Sequence, residues 1–232
     1  MNPADLKYQQ RLKTRARILD AARALVAETG YAALTMRRLA QVVNYLPAAL
    51  YLHFASREEI ALTLRDEARL TLAHALLVAL PPPHDSQADS PPATAAAKAK
   101  RAMQPESTPL LRLARAWLTF ARAHPHQYQL ALLEPLAALP APLQSALSPA
   151  MLLDAIVAAL QAAPALVGQK ARRRSSTYRR AIQAHAELAM ATLHGLASLA
   201  LLQPELLQSG ADHLLDAALP ALERGLHELL RA

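Results

Sequence analysis

Apolar residues in the first eighty positions recur with the spacing of helices. Ile18, Ala21, Ala22, Leu25 and Val26 fall at i, i+3, i+4, i+7 and i+8, which puts one apolar stripe on one helix face. Gly30 is a natural stop for that helix. Met36, Leu39, Ala40 and Val43 repeat the spacing behind Thr35, a residue type that caps helix starts. The chain then turns through Asn44-Tyr45-Leu46, where Asn tolerates the left-handed backbone of a tight corner. Pro47 suits the first position of the next helix, in which Leu50 and Phe54, four apart, face inward. Ser56-x-x-Glu59 reads as a capping box that opens a long helix through about Leu80.

The pattern breaks at 81–107. Pro81 to Pro83, Pro91, Pro92 and Pro105 lie among Ala, Ser, Asp and Gln, which predicts a mobile linker with a helical patch at Ala93 to Met103. Helical spacing resumes behind Thr108-Pro109 with Leu110, Leu113, Ala114, Trp117 and Ala121. Further helices are predicted over 126–139, 143–163, 176–202 and 211–230, with a polar break from Pro164 to Ser176 that holds Arg172 to Arg174.

Composition sharpens this picture. The 232 residues include only 5 Gly, and Ala and Leu dominate, which favours helices over a sheet. The formal charge of +7 makes a polyanion a plausible partner, and an excess of Arg over Lys suits phosphate or guanine contacts. The absence of Cys excludes disulfides, thiol catalysis and zinc–cysteine sites, and fits a cytoplasmic location. The polar N-terminus has no signal-peptide core. The longest charge-free apolar run, Leu188 to Pro204, contains His194, Gly195 and Gln203 and reads as a buried helix rather than a membrane span.

The chemistry concentrates around Thr35 to Phe54. Lys7, Arg11, Lys13, Arg15, Arg17, Arg23, Arg37 and Arg38 precede and flank the corner, and only Asp20 and Glu28 oppose them locally. Two short helices at a tight corner amid basic residues form a helix-turn-helix, whose second helix enters the DNA major groove while cations neutralise phosphates. Thr35 can present its hydroxyl and nearby N–H groups to a phosphate. Tyr51 and His53 stand off the Leu50–Phe54 face, Arg57 opens the following helix, and Arg37 can pair bidentately with guanine.

The segment ARILDAARALVAETGYAALTMRRLA…LYLHFASREEIAL resembles the N-terminal domain of tetracycline-repressor-like (TetR) regulators over about residues 11 to 65. Gly30-Tyr31, Leu39-Ala40, Leu50-Tyr51-x-His53-Phe54 and Ser56-Arg57-Glu58 all fall in register. The resemblance implies an all-helical homodimer that a small effector releases from a palindromic operator. It also implies DNA contacts at Thr35, Arg37, Pro47, Ala48, Ala49, Tyr51, His53 and Arg57, to which the basic cluster adds Lys13, Arg15 and Arg38. Three positions depart from the family pattern: Asn44 replaces the corner Gly, Leu46 the capping Ser or Thr, and Ala48-Ala49 a Gly-Thr-like pair. With these residues, base reading is expected to lean on thymine methyl contacts and on Arg37.

Further on, AWLTFARAHPHQYQLALL and ATLHGLASLALL resemble the "WHG" type of TetR C-terminal domain, with Thr192 in place of the tryptophan before His194-Gly195. Trp117, Phe120, Tyr128 and His194 are therefore the candidate effector contacts in a largely apolar pocket, although aromatics at helical spacing commonly just fill a core. Arg112, Arg115 and Arg122 share one helix face and read as solvated. Ile182, Leu188, Leu193, Leu196 and Leu199, with Leu214, Leu215, Leu219, Leu222 and Leu226, outnumber what one small bundle needs, so the last two helices are expected to pair across a two-fold axis.

The expectation is thus an all-α chain. It has a three-helix DNA-binding domain over 10–56, a connecting helix over 57–80, a linker over 81–107 and an effector-binding and dimerisation domain over 108–232. Its partners are double-stranded DNA, a second copy of itself and a small effector, with no membrane, metal or cofactor. The alternative is a dimeric sensor with degenerate, non-specific DNA binding. No nucleophile–base pair, phosphate loop or paired-carboxylate motif points to an enzyme.

Overall fold

The computed structural model describes residues 2–80, 108–134, 150–163 and 175–231. The expected linker over 81–107, its helical patch and the Arg172 to Arg174 break lie outside the described residues. Among the described residues all regular structure is helical: α1 (Pro3–Thr29), α2 (Met36–Val43), α3 (Pro47–Leu50), α4 (Arg57–Ala79), α5 (Pro109–Ala123), α6 (Pro125–Tyr128), α7 (Ala150–Gln161), α8 (Ser176–Leu202) and α9 (Ala211–Arg231). The all-α expectation is met, and α8 spans its expected residues.

Helix α1 begins far ahead of its apolar stripe. Asn2 caps it, its side-chain oxygen accepting from the Ala4 N–H at 3.2 Å. The first turns are polar and exposed, with Tyr8 and Leu6 facing solvent, so no periodicity announces them.

The chain divides into two compact units: Met1–Thr71 with Ala123–Ser148, and Leu72–Arg122 with Pro149–Ala232. In the first unit Ile18, Ala22, Leu25 and Val26 of α1 pack with Leu39, Ala40 and Val43 of α2, Leu50 and Phe54 around α3, and Ile60, Ala61 and Leu64 of α4. The α1 stripe is that core surface. Two ion pairs, Arg15–Glu59 at 2.8 Å and Arg23–Glu67 at 2.9 Å, bridge α1 and α4 with the same offset in sequence. They lie eight residues apart on both helices, or roughly 12 Å at 1.5 Å per residue, so α1 and α4 run side by side in the same direction.

Residues 123–134 belong to this first unit, and Leu130 is in its core. After α6 the chain widens into one π-helical turn, Gln129–Leu133, closed by the Glu134 N–H on the Gln129 carbonyl at 2.8 Å. The Arg69 Nε donates to the Ala131 carbonyl within that turn at 3.0 Å. Gly30, buried at the end of α1 with φ of 79°, lies under His126, whose Nδ1 would stand 3.3 Å from any added Cβ. Only glycine meets both demands easily.

In the second unit α5 buries Leu110, Leu113, Trp117, Leu118 and Phe120, and α8 packs against both α7 and α9. Thr108 caps α5 by accepting from the Leu111 N–H at 3.2 Å. The face of Arg112, Arg115 and Arg122 is only partly solvated: Arg115 pairs with Asp216 at 3.3 Å and Arg122 with Asp212 at 2.7 Å, while Arg112 has its Nε buried. The Arg122 guanidinium holds the Asp212 carboxyl below its ordinary value.

Helix α8 departs from the expectation of a buried helix. Ile182, Leu193 and Leu196 are buried, but Leu188 is 56% and Leu202 55% exposed. By length and composition α8 could cross a membrane, yet only 22% of its most apolar 18-residue stretch is buried within this chain. Among the described residues, α7 and α9 pack against α8 and leave part of its apolar surface uncovered.

Candidate nucleic-acid interface

Helix α2 is closed at both ends by its own residues. Thr35 is extended, and its Oγ1 accepts from the Arg38 N–H at 3.1 Å. Asn44 takes the left-handed conformation, φ 58° and ψ 47°. Its N–H reaches the Gln41 carbonyl at 3.2 Å, while the Tyr45 N–H reaches Ala40 at 2.8 Å. That pair of bonds is a Schellman motif, and Tyr45 packs against the core beside it.

Helix α3 is different. Leu46 precedes it in extended backbone and offers no side-chain cap. Pro47, lacking an N–H, removes one of the orphan donors at that end. The helix is seated by Leu50 and Phe54, both fully buried. The turn that follows takes up its last carbonyls and is itself held from α1: Arg11 donates to the Leu52 carbonyl at 3.2 Å, and Arg15 to the His53 carbonyl. Arg15 also pairs with Glu59 and lies 3.9 Å over the Phe54 ring. Ser56 caps α4 by accepting from the Glu59 N–H at 3.3 Å, and the Glu59 carboxylate reaches back to the Ala55 N–H at 2.7 Å.

The expected DNA contacts divide accordingly. Lys13, Thr35, Arg37, Arg38, Pro47, Ala48 and Tyr51 are exposed. Ala49 and His53 are half-buried. Arg15 is held inside the protein, as a brace between α3 and α4. Arg57 is also engaged internally, 3.4 Å from the Leu34 carbonyl, 3.5 Å from Glu58 and 4.3 Å over the Tyr31 ring. The His53 Nδ1 is buried without a partner, which leaves Nε2 as the ring nitrogen for an outside acceptor. Burial, with the charges of Arg11 and Arg15, holds its imidazole below the ordinary value.

Three large apolar side chains are exposed here: Leu46 at 77%, Leu52 at 71% and Val42 at 56%. From the sequence, Leu46 was named only as the place of a missing cap, and Leu52 and Val42 were not singled out. At about 100° per residue Ala48 falls across α3 from Leu50, whereas Leu46, in extended backbone before the helix, is not placed by that arithmetic.

The four candidate effector residues are divided between the chain's two units. Trp117 and Phe120 are buried in the second unit, Tyr128 is buried in the first, and His194 is half-buried on α8. Burial lowers the His194 imidazole from its ordinary value. A small cleft of about 70 Å³ in the first unit is lined instead by Val26, Leu64, Ala68 and Leu130 with the Arg23–Glu67 pair at its side. Among the described residues no three His, Cys, Asp or Glu side chains gather as metal ligands.

Comparison with known proteins matches this geometry. The family of bacterial regulatory proteins of the tetR type matches residues 18–64. The tetracyclin repressor-like C-terminal domain matches residues 110–222, so the two together span well over half of the chain. A solved regulatory protein, SCO4313, shares the fold with a TM-score of 0.61 at 23% identity, over 93% of this chain and 97% of that one. A protein from Rhodococcus sp. RHA1 does so with a TM-score of 0.58 at 22% identity, over 91% and 93%. With a capped α2, an exposed basic corner and a helical domain behind them, the chain belongs to the TetR family of DNA-binding transcriptional regulators.

Proposed function

We propose that the protein is a ligand-responsive repressor that works in the cytoplasm as a homodimer on a palindromic operator. The observation that carries this reading is the pairing of an exposed basic helix-turn-helix with uncovered apolar stripes on α8 and α9. Leu188, Thr192, Gly195, Leu199 and Leu202 follow one another at spacings of four and three along α8, all exposed or half-exposed. Leu214, Ala218, Leu222, Gly225 and Leu229 do the same on α9. Such stripes suit a four-helix contact across a two-fold axis, with the glycines allowing close approach. A two-fold dimer would present two α3 helices to successive major grooves, about 34–36 Å apart.

Lys13, Arg37 and Arg38 would hold phosphates or guanine, with Thr35 and Tyr51 placing the head on the backbone. The effector would enter the second unit, with the half-buried, neutral His194 as its polar contact and Trp117 and Phe120 shaping the surrounding core. It would act by favouring a dimer whose reading heads no longer match the groove spacing.

A gel-shift of the purified chain with the DNA upstream of its own gene tests the reading. Tight binding to one site, lost in Arg37→Ala, is the expected result. An intact dimer that binds this DNA no better than random DNA at physiological salt would sink it. The uncapped start of α3 favours a second reading, a degenerate reader, which would show a steep salt dependence without sequence preference.

A further inference from the structure

The centre of the reading surface is apolar. From Leu39 to Ser56 the chain carries no Lys, Arg, Asp or Glu. Leu46 and Leu52 are the most exposed large apolar side chains of the whole described chain, at 77% and 71%. Pro47 and Ala48 are exposed between them. The exposed surface at and around α3 is therefore largely apolar.

Base edges ask for particular partners in the major groove. Guanine takes a bidentate Arg or Lys, adenine an Asn or Gln, and the C5-methyl of thymine an apolar side chain. Residues 46–52 contain none of the first four types. Apart from the hydroxyl of the exposed Tyr51, this face offers a base edge apolar contact, which distinguishes a methyl group. Its surroundings suit a nucleic acid: Arg11, Arg37 and Arg38 are exposed in the same unit, and Arg11 donates to the Leu52 carbonyl itself. An apolar surface with a cation at its Leu52 end, and no carboxylate from Leu39 to Ser56, complements a groove floor walled by phosphates.

We propose that Leu46, Ala48 and Leu52 read thymine C5-methyl groups, so that each operator half-site sets thymines against α3 and leaves guanine reading to Arg37. The inference rests on the proposal that α3 enters the major groove of a specific operator. The probe is the tightest duplex selected by the intact protein from a random pool. Each thymine of a half-site is replaced in turn by deoxyuracil, which deletes only the methyl. Affinity should fall about three- to tenfold at one or more positions, the scale of one buried methyl. Leu46→Ala or Leu52→Ala should remove the uracil effect at its own position while leaving the salt slope and the thermal melt unchanged, since both side chains are exposed.

Specific binding that tolerates every uracil overturns the inference and leaves the proposed function standing. Failure to select any preferred duplex overturns both. Uracil effects that persist unchanged at every position in both variants take methyl reading away from the two leucines and overturn the assignment. Loss of dimer mass in either variant, measured by sedimentation, assigns the patch to a second copy and overturns it as well.

Discussion

Helices α2 and α3 meet at one corner and are stabilised in opposite ways. The first carries its own ends: Thr35 closes its N–H groups, and Asn44 with Tyr45 closes its carbonyls. The second has four residues and no side-chain cap, and the turn after it is held by arginines from α1. A helix this short is unstable alone, since nucleation is never recovered in so few bonds. The difference teaches that α3 is a product of its surroundings. Capping is local and legible, whereas seating depends on residues about forty positions away.

Substitutions can break or sharpen that contrast. Phe54→Ala should have the largest effect, about 3–5 kcal/mol of stability, because the ring is buried and seats α3. Chemical denaturation measures it, and a loss below about 1 kcal/mol would mean that α3 is held otherwise. Arg15→Ala removes the carbonyl bond, the Glu59 pair and the ring contact together. With the arginine side chain 34% exposed, about 1–2 kcal/mol is expected. Its effect on DNA affinity should follow the effect on folding, with the salt slope unchanged. A slope reduced by one phosphate contact would instead place Arg15 on the DNA.

Thr35→Ala should cost about 1 kcal/mol, an ordinary lost cap. Leu46→Ser gives α3 the cap it lacks and should raise stability by about 0.5 kcal/mol. The same change should remove methyl discrimination at that position, so stability and specificity move in opposite directions. The smallest effect concerns pH. His53 is held below its ordinary value of 6.5, so it favours the fold in its neutral form. That contribution is present above about pH 6.5 and is lost as pH falls through the lowered value. His53→Gln should flatten this part of the stability profile in parallel acid melts.

What was legible in the sequence follows the range of the interactions. The Thr35 cap, the left-handed Asn44, Pro47 at a helix start, and the Ser56 box all came from neighbours within four residues, and each stands where its spacing put it. The internal roles of Arg15 and Arg23 did not, because their partners Glu59 and Glu67 lie on another helix. Local charge counting had only Asp20 and Glu28 to set against the basic cluster. The end of α6 was expected as plain helix, and periodicity cannot distinguish a π-helical turn from an α turn over five residues. The exposure of Leu46 and Leu52 was not legible, because both lie outside the four residues of α3 and helical spacing does not place their side chains.

The seat of His126 on Gly30 bears on transplantation. Anyone grafting this reading head onto another sensor would naturally cut out one continuous piece, residues 1 to 71. That piece would carry a bare glycine where His126 packs, a core without Leu130, and an Arg69 with no Ala131 carbonyl to grip. The exchangeable cassette is discontinuous in the gene. A chimera that carries residues 123–134 along with the head should fold, and one that omits them should lose the floor beneath its own helix α1.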